Sequence, residues 1–201
     1  MSATDDEPDG ELLLRYRGGD VDAFRRLYRR HAGRVLRVGT MSGLDRSEAE
    51  DLVQATFLRL HEARERVASD RPLRPWLVTV ALNLVRDRGR RANRRRAAAE
   101  QLAVLAEAAR AIRPDQEHEA VATAARLAGA LRDLPDAQRE AVLAVRIGGM
   151  SYADAAGALE RSEAAVRQNV HRGLRRLADA LREDRAVEVT NAAERRTGGE
   201  S

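Results

Sequence analysis

The chain has 201 residues, 3% aromatic content, no cysteine, and a formal net charge of +4 from 36 basic and 32 acidic side chains. So short and aromatic-poor a chain fits two small helical units better than one large core, and without cysteine it has neither disulfides nor thiolate metal sites. No apolar run approaches the roughly 18 residues that span a bilayer, and Met1 to Gly10 is acidic rather than basic and apolar, so the sequence predicts a cytoplasmic protein with no membrane contact and no export signal.

The charge is unevenly spread: residues 1–10 carry −4, 11–92 carry +7, 93–116 carry +2, 117–184 carry −1 and 185–201 carry none. Every basic residue is arginine. A positive first half suits a polyanion such as nucleic acid, the plain alternative being a solvated arginine-rich helix face. The divisions predicted are a disordered acidic N-terminus (1–10), a helical unit (11–96), a linker (97–116), a second helical unit (117–184) and a C-terminal tail (185–201). The fold class predicted is all-α, because no period-2 alternation is present.

In chain order, Asp20 can cap a helix with Phe24, Leu27, Tyr28, Val35 and Leu36 near helical spacing, ending around Ser42 and Gly43. Ser47-Glu48-Ala49-Glu50 reads as a capping box opening a helix that buries Leu52, Val53, Phe57 and Leu60 and runs to about Arg66. Residues 68–75 hold Pro72 and Pro75 and read as a loop. From Trp76 a further helix packs Trp76, Leu77, Val80, Ala81, Leu84 and Val85 on one face and ends in seven arginines within residues 86–96, too many to face a core. The Ala-rich linker follows. Then come a helix from Ala120 to Leu134, a second opened by Pro135 and stopped by Gly148-Gly149, and two more capped by Ser151 and Ser162.

Gly148 to Leu177 is the most informative stretch: a short helix, a tight break at Glu160-Arg161, and a capped second helix. The short helix carries Ala153, Ala155, Ala156 and Gly157, small enough for a close helix crossing. On the second, Val166, Val170, Leu174, Leu177 and Leu181 form one stripe, while Arg167, Gln168, His171, Arg172 and Arg175 point elsewhere. This is the pattern of a helix-turn-helix whose second helix enters the major groove. Arginine pairs with guanine edges and glutamine with adenine, and arginine also neutralises phosphates.

Three stretches carry a family resemblance: Ala49 to Leu60 (AEDLVQATFLRL), Pro72 to Leu77 running on through Ala81-Leu82-Asn83, and Leu134 to Glu140 running into Ser-Tyr-Ala-Asp-Ala-Ala. With them the chain resembles the extracytoplasmic-function (ECF) group of bacterial RNA polymerase sigma factors, which retain sigma domains 2 and 4. The resemblance covers roughly residues 10–95 and 117–182. It implies that 11–96 is a domain 2 bundle and 117–184 a domain 4 helix-turn-helix.

It further implies that Asp51, Gln54, Leu58 and Arg59 dock on core RNA polymerase. Ala55 stands where many members have Glu, removing one polar contact there. Val67, Ala68, Ser69, Asp70 and Arg71 would shape a pocket for an unpaired base of the promoter −10 element, and Arg74, Asn83, Arg86, Asp87, Arg90 and Arg91 would line base edges and phosphates of the opened non-template strand. Arg167, Gln168, His171, Arg172 and Arg175 would read the −35 element as duplex DNA. An anti-sigma protein is a possible further partner.

Trp76 reads as a core residue before a base-stacking one. A dimeric helix-turn-helix regulator that needs no polymerase is the alternative; it leaves the Asp51 helix and the Trp76 helix without a role. His61-Glu62-Ala63-Arg64-Glu65 lacks the second histidine of a zinc helix, so no metal, cofactor or catalytic activity is expected.

Overall fold

The computed structural model describes residues 7–102 and 119–197, with side chains described over 7–91 and 126–182. Among the described residues the chain is helical throughout, with no strand. The first four helices are α1 (Asp9–Arg17), α2 (Val21–Met41), α3 (Arg46–Ala63) and α4 (Leu73–Leu102). The next four are α5 (Glu119–Arg132), α6 (Asp136–Val142), α7 (Tyr152–Ala158) and α8 (Glu163–Thr197), and α6 passes directly into a π-helical turn at Leu143–Ile147. No described helix is long and apolar enough to cross a membrane.

Local chemistry sets most of the boundaries. The Asp20 carboxylate accepts from the Asp22 and Ala23 amides and opens α2, as the sequence predicts. The capping box of α3 lies two residues earlier than its sequence reading: Asp45 accepts from the Glu48 amide at 2.8 Å and Glu48 returns a bond from the Asp45 amide at 3.0 Å. Ser47 lies inside the helix. α3 also ends sooner, at Ala63, and a looser turn follows to Val67. The expected 68–75 loop is shorter too, because α4 starts at Leu73 and takes Pro75 into its first turn, where a missing N–H costs no helical bond. Ser151 and Ser162 cap as predicted, their hydroxyls accepting from Asp154 N at 3.0 Å and Ala165 N at 3.2 Å.

In the first half, α1 (Leu12, Leu13), α2 (Leu27, Val35, Val38), α3 (Leu52, Val53, Phe57, Leu60) and α4 (Leu77, Val78, Ala81) bury their apolar faces together. Truncating any one of these leucines to alanine should cost about 2–5 kcal/mol. In the second half, α8 lays Val166, Val170 and Leu177 against Ala141 and Val142 of α6 and Ala155 of α7. The small residue that permits the closest crossing is Gly173 rather than Gly157. A Cβ at Gly173 would lie 2.8 Å from Val142 Cγ2, whereas one at Gly157 would meet open space.

The two halves share one core. Arg34 of α2 donates to the Gly148 carbonyl at 3.3 Å, and a Cβ on Gly148 would come 2.6 Å from Val78 Cγ1. Gly149 holds φ +67°, a left-handed conformation that favours glycine, with the Arg34 guanidinium close beside it. This packing explains why Val78 is buried although it lies outside the stripe expected for α4; Leu82, also outside that stripe, is buried as well.

Candidate nucleic-acid interface

On α3, Asp51, Gln54 and Leu58 recur at helical spacing and all are exposed, opposite the buried Leu52, Val53, Phe57 and Leu60. Leu58 is 58% exposed, a large apolar side chain in water. Arg59 is exposed beside it and pairs with Glu62 at 3.0 Å. Tyr28 of α2 is also partly open to solvent, 39% exposed, and its ring centroid lies 4.7 Å from that of the buried Phe57. Tyr28 was expected on the core side of its helix; it instead caps an aromatic row of Tyr16, Phe24 and Phe57.

Between α3 and α4, Ala68, Asp70 and Arg71 are exposed and Ser69 is half-buried. Val67 differs from its expected pocket-lining role: its side chain is in the core, and only its backbone reaches the loop. A cavity of about 770 Å³ opens between this loop, the start of α1 and the α2 face carrying His31 and Arg34, with Arg74 on its wall. Asp9 spans it from the α1 side, 2.7 Å from Arg30 and 2.8 Å from His31. Burial pushes the Asp9 carboxyl up, but the hydrogen bonds to His31 and Arg30 outweigh it and hold the group below its ordinary range.

Along α4, Asn83, Asp87, Arg90 and Arg91 are exposed. Trp76 is half-buried, packed on the core yet open along one edge to a shallow groove that also holds Asn83 and Asp87. Asp87 pairs with Arg90. Arg86 is less available: it donates to Asn83 Oδ1 at 3.0 Å and to Glu140 of α6 at 2.8 Å. That carboxylate also meets Arg161 at 3.4 Å, so the acid sits between two guanidinium groups from opposite halves. The Glu140 bond is the main cause that raises the Arg86 pKa above its ordinary value. The Arg86–Glu140 contact is not readable from sequence spacing, because its partners lie 54 positions apart.

On α8 the row Arg167, Gln168, His171, Arg172 and Arg175 is fully outward, opposite the buried Val166, Val170 and Leu177. Arg167 is held locally by Glu163 and stacks 4.5 Å over the Tyr152 ring. The break before α8 is made by Glu160 at φ +53°, a left-handed residue that turns the chain sharply between α7 and α8. The helix offers donors in a line along one face, the requirement for contacts to base edges and phosphates in a groove.

Residues 27–95 match the family model described as Sigma-70 region 2, and residues 124–177 match Sigma-70, region 4. The chain is 35% identical over 175 residues to RNA polymerase sigma factor CarQ of Myxococcus xanthus, covering 85% of this chain and 96% of CarQ. It is 33% identical over 174 residues to ECF RNA polymerase sigma factor SigM of Mycobacterium tuberculosis, covering 86% and 84%. Among solved structures, CnrH in complex with the cytosolic domain of CnrY superposes with a TM-score of 0.67 at 27% identity, covering 89% of this chain and 99% of that one.

Proposed function

The chain belongs to the ECF group of RNA polymerase sigma factors, and from that premise we propose a division of labour among its exposed faces. It is an alternative sigma factor that acts with RNA polymerase as a transcription initiation factor, with core polymerase and promoter DNA as partners. The solved relative in complex with CnrY extends the partners to an anti-sigma protein. We read it as working in the cytoplasm and as having no catalytic step of its own.

The observation that supports the division of labour is that the region 2 match covers α3 and the exposed Asn83, Asp87, Arg90 and Arg91 of α4, while the region 4 match covers the exposed row Arg167 to Arg175 of α8. Asp51, Gln54, Leu58 and Arg59 dock on core polymerase, an exposed leucine among polar groups being the composition of a protein interface. Ala68, Ser69, Asp70 and Arg71 of the loop, with Arg74, Asn83, Arg86, Asp87, Arg90 and Arg91, hold the opened −10 strand. Melting needs such contacts, because unstacking costs a few kcal/mol per step and only groups that bind the unpaired strand offset it. The α8 row reads the −35 duplex. A dimeric helix-turn-helix regulator is not favoured, since it gives the region 2 match nothing to do.

Because Glu140 holds Arg86 through Nε, a phosphate or base edge of the strand on α4 competes with that carboxylate for the guanidinium. The test of the whole assignment is run-off transcription with purified core polymerase. The chain should confer promoter-dependent initiation, and Asp51→Arg with Gln54→Ala should weaken core binding by tenfold or more, given about 1–3 kcal/mol for a centrally placed contact. Unchanged affinity of the double variant for core would overturn the α3 assignment.

A further inference from the structure

The loop that follows α3 receives little support from its own residues. The turn continuing that helix ends at Val67, whose amide donates to Ala63 O at 3.1 Å, and the next five residues reach α4 with Pro72 as the last. What holds the loop comes from α1. Tyr16 Oη meets His61 Nδ1 at 2.5 Å at the end of α3. Arg17 Nε donates to the Arg64 carbonyl at 2.8 Å, and its Nη2 donates to the Val67 carbonyl. At the other end of α1, a methyl group on Gly10 would overlap the Ser69 carbonyl, so helix and loop touch backbone to backbone.

α1 is in turn pinned. Leu12 and Leu13 are fully buried, Glu7 pairs with Arg15 and Arg26, and Asp9 pairs with Arg30 and His31. A guanidinium is suited to such a brace, because its planar fork of donors can satisfy two carbonyls at once and it stays charged. The cavity beside the loop, about 770 Å³, has the size of a small-ligand pocket, and its shape depends on where Ser69 to Pro72 stand. Arg17 lies outside the residues that the region 2 model matches.

We infer that Arg17 is a positioning residue for −10 recognition: with Gly10 it fixes the loop in the shape that receives the unpaired base. This rests on the loop's assignment proposed above. An arginine that merely stabilised the fold would lower activity on every promoter alike; one that sets the pocket changes which base is accepted.

The experiment uses the full chain reconstituted with core polymerase on templates carrying each of the four bases at each −10 position, for Arg17→Ala, Arg17→Lys and Gly10→Ala. Arg17→Ala should lower the preference for the best base by about tenfold at one or two −10 positions, leaving −35 base preference and core affinity unchanged. Arg17→Lys, with one point donor, should restore part of the preference. Gly10→Ala, which must push the Ser69 carbonyl away, should lower it again while keeping every Arg17 bond. Asp70→Ala and Arg71→Ala serve as loop controls. Equal losses on all −10 sequences, or an unchanged preference in both Arg17→Ala and Gly10→Ala while the loop controls change it, would overturn the inference. Loop controls without effect would overturn the loop's assignment and this inference with it.

Discussion

On α8 the groups proposed to read bases are set by one helix: Gln168, His171, Arg172 and Arg175 are outward because Val166, Val170 and Leu177 are inward. At the α3–α4 loop and on α4 the groups depend on distant neighbours instead. Arg17 holds the loop from α1, and Glu140 holds Arg86 from α6. The difference matches two tasks. A duplex presents an intact groove that a regular helix fits directly, whereas an unpaired strand has to be received by a pocket whose shape must be built and then uncovered.

The largest effect should come from the face that must capture the opened strand. Asn83→Ala with Arg86→Ala should reduce initiation on closed duplex by about 100-fold, two contacts at about 1–3 kcal/mol each. An equal loss of closed-complex binding would mean that these residues supply only general attraction to DNA. Next, Gln168→Ala or Arg172→Ala should cost about tenfold. If the residue reads a base, preference relaxes at one −35 position; if it touches a phosphate, all sequences weaken together, and for the charged Arg172 the salt slope falls by about one. Negligible change in both would remove α8 from the groove.

Glu140→Gln probes the coupling between the halves. The acid and its two arginines are 17% and 30% exposed, so the pair is partly screened and its loss should cost about 1 kcal/mol of stability or less. Freed of the carboxylate, the isolated chain should bind a single-stranded −10 oligonucleotide about twofold to fivefold more tightly. Unchanged or weaker binding would show that Glu140 does not compete with the strand.

The smallest effect concerns the footing of α1. The Asp9 carboxyl is held below its ordinary 3.8, so its stabilising contribution is complete above that value and is lost as pH falls through the depressed one. Melting curves of the wild type and Asp9→Asn should therefore differ at neutral pH and converge below about pH 4; a gap that persists unchanged into acid would contradict the role of the carboxylate.

How much of this was legible in the sequence follows the same division. The α8 stripe, the Ser151 and Ser162 caps and the buried face of α3 were all readable, because each rests on residues three or four apart. The α3 box was placed two residues late because Asp45-x-x-Glu48 and Ser47-x-x-Glu50 overlap and satisfy the same pattern. The prolines at 72 and 75 suggested a longer loop, since sequence alone does not separate a proline that breaks a helix from one seated in its first turn. The buried Val78 and the roles of Arg17 and Glu140 were illegible for one reason: each is created by a contact between segments far apart in the chain. The helical unit read as starting at residue 11 begins at Asp9, and the last helix of the unit read as 117–184 runs on to Thr197, into the stretch read as a tail.

The most direct test of the central claim, one face for the opened strand and another for duplex, is initiation from closed and pre-mismatched −10 templates by the Asn83→Ala, Arg86→Ala protein and by Arg172→Ala. The account predicts that pre-opening partly rescues the first protein, because the unstacking cost has been removed, and leaves the Arg172→Ala defect unchanged. Equal rescue of both, or rescue of neither, would contradict it.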